Sequence, residues 1–336
     1  MKNAIAVSVI VPTYNAERYI QRALDSLASQ SLENIEIIVV DDASTDKSSQ
    51  IINLKEKSLN LIYLRQPVNQ GTHNARLLGL QHASGAWIGF LDSDDTVHPD
   101  MFGSMHEVAN KHQADIVICG SYRVAESGER LGTKISFPEN TEINADVFRK
   151  FCRFEFGTGM LCNKLYRKEI ILPLKKMYFP WRQNLNEDLL LNIGCFSKAS
   201  TVYLMKDILY DYTHNQASTT SILSRPKAYV ETYRAYAIAA SKYSELGASA
   251  LENITEMYRT QLRWGNYNID NLEDLSEYRE ELQQATNMLY QHYPHGLALL
   301  AARPERKPPV EQPIMKQITR KLVKTLQSME LLRAPR

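Results

Sequence analysis

Between residues 6 and 91, short apolar, β-branched runs alternate with helix-length segments, a pattern that few architectures accept. The runs at 6–11, 36–41, 61–64 and 87–91 read as strands, and the segments at 19–29, 48–56 and 71–81 between them read as helices. A strand followed by a helix must cross over before it pairs again. The alternation therefore predicts an α/β fold with a mostly parallel central sheet covered by helices. Ligands of such sheets gather beyond the carboxyl ends of the strands, so the loops after residues 11, 41 and 91 are where chemistry is expected.

Beyond Asp100 the pattern predicts a helix to His112, a strand at 116–120 and a polar turn at 127–132. A Phe-rich segment, 148–156, leads into Gly157-Thr158-Gly159. From 227 to 293, helical periodicity returns, with breaks at Gly247 and Gly265. Residues 303–313, RPERKPPVEQP, read as a linker. The expected organisation is a catalytic domain at 1–225, a C-terminal helical extension at 226–302, that linker, and a basic amphipathic helix at 314–336.

Thirty-nine basic residues against 38 acidic ones leave a net charge of +1, which gives no reason to expect nucleic-acid binding. No apolar run is long enough to suggest a membrane-spanning helix, and Cys119, Cys152, Cys162 and Cys195 lack metal-site spacing, so reduced packing cysteines in a cytoplasmic protein are expected. In the tail, Ile314, Ile318, Leu322, Leu326 and Met329 form an apolar strip flanked by Lys316, Arg320, Lys321 and Lys324. Such a helix suits peripheral binding to an anionic membrane surface, at the inner face of the plasma membrane; packing against a partner helix or within a homo-oligomer is the alternative.

Three strand-end loops carry polar chemistry. Pro12 restricts the first turn, Thr13 and Asn15 offer polar contacts, and Tyr14 offers a flat face for stacking. In the second, Asp42 is placed to read a base or ribose through hydrogen bonds. The third, Asp92-Ser93-Asp94-Asp95, is a turn whose carboxylates suit a hard divalent cation bridging diphosphate oxygens, with Asp94 the direct ligand. Asp92 falls on the donor or the metal, and Asp95 on the sugar or acceptor.

Taken in order, VSVIVPTYNAERYIQRALDSLASQ, IEIIVVDDAST, NQGTHNARLLGL and WIGFLDSDD resemble the motifs of the family 2 glycosyltransferases with the A-type nucleotide-sugar-binding fold, over about residues 5–215. The resemblance implies transfer of a sugar from a UDP-sugar donor to a saccharide or lipid-linked glycan acceptor, with inversion and with Mn2+ or Mg2+, in bacterial surface polysaccharide, lipopolysaccharide or capsule synthesis. It implies donor contacts by Pro12, Thr13, Tyr14, Asp42, Arg76, Asp92 and Ser93, and a metal held by Asp94 with Asp92 as a further ligand; His214 reads either as a third metal or diphosphate ligand or as an ordinary loop histidine. NEDLL resembles the family's acidic segment, which makes Asp188 the general base and Glu187 an acceptor contact; CNKLY does the same for Asn163 and Lys164. The chain departs from the pattern at Leu77, Cys162 and Thr213, the last in place of an expected arginine. A metal-dependent nucleotidyltransferase and a noncatalytic carbohydrate-binding scaffold are the competing readings.

Overall fold

The computed structural model describes residues 4–56, 59–215, 222–269 and 273–301. These fall into two compact units that divide after residue 222. The first is a mixed α/β unit. Its elements are β1 (Val7–Thr13), α1 (Ile20–Ala28), β2 (Ile35–Asp41), α2 (Ser48–Glu56), β3 (Leu61–Arg65), α3 (Thr72–His82) and β4 (Trp87–Phe90). There follow β5 (Thr96–Val97), α4 (Met101–Lys111), β6 (Ile116–Val124), β7 (Arg130–Ile135), β8 (Thr141–Ile143), α5 (Val147–Cys152), β9 (Lys164–Arg167), α6 (Lys168–Ile171), α7 (Glu187–Phe196) and β10 (Val202–Thr213).

The sheet runs β3-β2-β1-β4-β9-β6-β10-β5, with β7 beside β6 and β8 beside β10. Along that path only β9 and the short β5 run against the other strands, so the sheet is mostly parallel. β1 is buried at every position, which explains why its sequence is a continuous apolar run rather than an alternating one. α1 buries Ile20, Ala23, Leu24 and Leu27, one face of a helix. α3 approaches β1 closely because it carries Gly79: a Cβ there would stand 2.4 Å from Ile10 Cγ2.

The chain winds from β1 outward to β3 and then returns to place β4 on the other side of β1. That reversal opens a crevice above the carboxyl ends of β1 and β4. β9 pairs antiparallel to β4, with Gly89 opposite Leu165, so its first residues lie at the same edge. This topology brings residues near 13, 42, 92, 163 and 213 to one side of the sheet.

The turn expected at 127–132 is shorter than its polar composition suggested. β6 continues to Val124, and β7 already begins at Arg130, because the hydrophilic run is an exposed edge strand paired only to β6. Part of the Phe-rich segment forms α5, and Phe151 stacks on Phe196 with ring centroids 4.2 Å apart. All four cysteines are free and buried.

The second unit is helical: α8 (Arg225–Lys242), α9 (Ala248–Gln261), α10 (Arg279–His292) and α11 (Pro294–Ala301). Ser224 caps α8 by accepting a hydrogen bond from the Lys227 N–H, and α8 is buried continuously from Tyr229 to Ala240. Gly247, at φ 88°, supplies the break before α9. No helix of the described residues is long and apolar enough to cross a membrane. The linker at 303–313, the basic helix at 314–336 and the polar segment after Asn215 lie outside the described residues.

Candidate active site

The first two loops are fastened to each other. The Asn15 N–H donates to Ser44 Oγ at 3.0 Å, and the Thr45 N–H donates to Asn15 Oδ1 at 2.8 Å. Pro12 and Thr13 are buried in β1, whereas Tyr14 stands 48% exposed above the crevice. The paired aspartates of the second loop separate in role. Asp41 is enclosed by the Ser44 N–H, Ser49, Tyr63 and Arg65, a structural knot. Asp42 instead accepts the N–H groups of Gln70 and Gly71, each at 2.7 Å, and fixes the entrance to α3. Burial raises the Asp42 carboxyl above its ordinary value, with the two N–H groups and Arg182 acting against that rise.

Arg76, on α3 and 4% exposed, connects the acidic loop after β4 with the start of α7. Its Nη2 donates to Asp92 Oδ1 at 2.9 Å and its Nη1 to Glu187 Oε1 at 3.1 Å. Burial disfavours the guanidinium charge, but Asp92 and Glu187 outweigh that cost and hold its pKa above the usual value. Both terminal nitrogens of Arg76 thus pair with carboxylates, while among the described residues its buried Nε meets no hydrogen-bond partner.

The acidic loop after β4 divides inward and outward. Asp92, Ser93 and Asp94 are half-buried, while Asp95 is 1% exposed. Asp95 accepts hydrogen bonds from the Tyr210 hydroxyl and, at 2.7 Å, from the Thr213 N–H. Burial and the neighbouring Asp94 and Asp92 charges raise its carboxyl well above the ordinary range. Asp95 thus ties the loop to β10. Arg22 of α1 braces the same region, donating from Nη2 to Asp94 O at 3.0 Å and Thr213 Oγ1 at 3.1 Å.

Across from the acidic loop, Asn186 takes a left-handed conformation, φ 64°, and starts α7, whose first residues are Glu187 and Asp188. Their side chains diverge: Glu187 reaches Arg76, and Asp188 Oδ1 accepts the Leu189 N–H at 2.7 Å. Burial, then Glu187, push the Asp188 carboxyl up to about 7, against the lowering influence of Arg76. Asn163 and Lys164 are fully buried. The Lys164 ammonium donates to Thr158 O at 3.3 Å, Met160 O and Asn163 Oδ1 at 3.0 Å, while Asn163 Nδ2 donates to Cys119 O at 2.7 Å. These two residues hold the 158–162 loop against β6. Burial brings Lys164 down to about 8, with Asp188 the leading opposing influence.

Among the described residues, no three His, Cys, Asp or Glu side chains form a metal-holding group. Asp92 pairs with Arg76, and exposed His214 donates its backbone N–H to Val124 O at 2.7 Å. Asp94 is different. Its Oδ2 accepts from Asn215 at 3.2 Å, and it fits a hard cation held by one carboxylate, with phosphate and water as the other ligands.

The sequence reading passed over three contributors: Arg22, Tyr210 and Lys134. The Lys134 ammonium lies 3.0 Å from the centroid of the Tyr212 ring. The attractive charges around it are led by Asp95 and also include Asp188. Arg22 stands inside the first motif but on a helix face the motif does not mark, Tyr210 and Lys134 stand outside the motifs, and strand register and helix docking decide what the three meet.

Known proteins resemble this chain in both sequence and fold. Residues 8–172 match the family described as Glycosyl transferase family 2. The uncharacterized glycosyltransferase EpsJ of Bacillus subtilis (strain 168) is 31% identical over 244 residues, covering 72% of this chain and 70% of EpsJ. The poly(ribitol-phosphate) beta-N-acetylglucosaminyltransferase TarS of Staphylococcus aureus (strain Mu50 / ATCC 700699) is 28% identical over 237 residues, 69% of this chain but only 40% of TarS. The crystal structure of S. aureus TarS 1–349 in complex with UDP-GlcNAc shares the fold, with a TM-score of 0.66 at 23% identity, over 97% of this chain and 88% of that one.

Proposed function

Because the chain belongs to glycosyl transferase family 2, with its inverting, A-type nucleotide-sugar fold, we propose that it transfers a hexose or N-acetylhexosamine from a UDP-sugar to a hydroxyl of a glycan or lipid-linked glycan. The observation that supports this reading is the Arg76 bridge: it joins Asp92 of the acidic loop to Glu187, the neighbour of Asp188, whose carboxyl is pushed up to about 7. A base with that pKa is half-ionised near neutrality and still able to take a proton, which suits general-base catalysis.

In this reading Tyr14 stacks on the uracil ring, Asp42 reads the base or ribose, and Pro12, Thr13 and Ser93 line the nucleotide path. Asp188 removes the acceptor hydroxyl proton as that oxygen attacks the anomeric carbon from the face opposite the diphosphate. The new glycosidic bond forms as the bond to the diphosphate breaks, the configuration inverts, and the proton ends on Asp188. A Mg2+ or Mn2+ ion bound at Asp94 would supply Lewis-acid stabilisation of the departing diphosphate. Arg76 keeps the two carboxylate-bearing elements in register throughout.

TarS, named for N-acetylglucosaminyl transfer to poly(ribitol-phosphate) and crystallised with UDP-GlcNAc, supports a polymeric acceptor and a UDP-sugar donor for this chain. Lipopolysaccharide and capsule are the classes we place first. The basic tail at 314–336 suits attachment at an anionic membrane surface, where lipid-linked acceptors lie. Co-sedimentation of the full chain and a chain ending at residue 302 with anionic vesicles tests that placement; equal recovery of the two would remove it.

Mass spectrometry of reactions with a panel of UDP-sugars, Mg2+ or Mn2+, and glycan or lipid-linked acceptors tests the reaction itself. A sugar-mass addition that disappears in Asp188→Ala is expected. Glycan binding without turnover of any donor would instead favour a carbohydrate-binding scaffold, and a new phosphodiester product a nucleotidyltransferase.

A further inference from the structure

Lys134 stands on β7, an edge strand whose preceding residues face solvent. The register between β6 and β7 slips at this residue: Ser121 is opposite Ile135, and the next β6 residue, Tyr122, is opposite Thr133. Lys134 is the additional residue of a β-bulge, a device that re-aims a side chain. The bulge lays its ammonium on the Tyr212 ring.

The charges nearby are unequally committed. Arg76 is bound to Asp92 and Glu187; Arg22 is bound to two backbone oxygens and Thr213. Among the described residues, no hydrogen-bond acceptor meets the Lys134 ammonium, which carries three N–H donors. A half-buried ammonium resting on a ring face has lost part of its water without gaining hydrogen bonds, a cost that an anionic ligand can offset. Its platform identifies which anion. Tyr212 is followed by Thr213, which holds both Asp95 and Arg22 at the acidic loop, so Lys134 lies beside the loop that the proposed function assigns to the donor.

We infer that Lys134 is a diphosphate-binding residue, holding the phosphate oxygens of the nucleotide donor and balancing their negative charge as the nucleoside diphosphate departs. This rests on the nucleotide-sugar reading given above. The ammonium stays protonated and forms no covalent bond; its hydrogen bonds to phosphate strengthen as charge accumulates on the leaving group.

Isothermal titration calorimetry with UDP and with uridine, on wild type, Lys134→Gln and Lys134→Arg, tests this. Loss of one charge-assisted hydrogen bond is expected to weaken UDP binding by Lys134→Gln roughly tenfold or more, with uridine affinity unchanged and Lys134→Arg within a few fold of wild type. Equal UDP affinity in wild type and Lys134→Gln overturns the inference, and so does a parallel loss of UDP and uridine, which marks a structural role. If wild type fails to bind UDP, the donor reading falls and the inference with it; if wild type binds and the variant matches it, only Lys134 is dismissed.

Discussion

At Asp188, one carboxyl is subject to opposing demands. Burial and Glu187 favour the neutral form; Arg76 favours the charged form; the result is a group near 7 in place of the ordinary 3.8. The native state therefore binds this proton more tightly than the unfolded chain does. Its contribution to stability is present below about pH 4 and is lost as pH rises through about 7. Catalysis by the ionised base runs the other way. The kcat/KM profile should climb with pH and level off above an apparent pKa near 7, and Asp188→Asn should lose roughly 10²–10⁴-fold in turnover while retaining UDP affinity. A flat profile between pH 5 and 8 would reject Asp188 as the base. Arg76 is different: its removal leaves two carboxylates facing each other without their cation. Arg76→Ala is expected to cost about 2–4 kcal/mol in urea unfolding as well as activity, whereas a variant with wild-type stability would contradict the bridge.

Elements deliver these residues. α3 can bring Arg76 to the acidic loop only because Gly79 lets the helix settle on β1. Gly79→Ala forces a methyl to within 2.4 Å of Ile10 and is expected to lower stability by about 1–3 kcal/mol, read as a shift in the denaturation midpoint. The 158–162 loop depends on a second device. Asn192 of α7 donates to Gly159 O at 2.7 Å and accepts from the Tyr166 hydroxyl at 2.7 Å, while Lys164 holds Thr158 and Met160 from beneath. Lys164→Met should raise the KM for the acceptor and leave UDP affinity in place, because the loop belongs to the Asp188 side. A weakened UDP affinity with an unaltered acceptor KM would move Lys164 to the donor side.

For the whole molecule, the proposed donor and base residues all belong to the first of the two compact units. UDP at about a hundred times its Kd should stabilise the protein by about 2.7 kcal/mol. Hydrogen exchange should slow around residues 13–15, 92–95 and 134, and remain as before across α8 to α11. Protection confined to the helical unit would place the nucleotide elsewhere.

The strand and helix alternation was legible because period and breaker residues are local properties: α2 and the strand beginning at Leu61 emerge near their observed limits from pattern alone. The carboxylates at 92, 94, 187 and 188 were legible too, since they stand in ordered motifs at element ends. Register was not. A single slipped residue between β6 and β7 decides that Lys134 faces Tyr212 and the crevice, and no local preference in RLGTKI records that slip. Nor could sequence distinguish Asp95, drawn inward by Tyr210, from Asp94 beside it, or foresee that Arg76 would be spent on Asp92 and Glu187. The sequence by itself determined the α/β class, the order of its elements and the chemical types available at their ends. The tertiary structure decided which of those groups meet, because hydrogen bonding and charge pairing between residues far apart in the chain depend on distances that exist only once the sheet has closed.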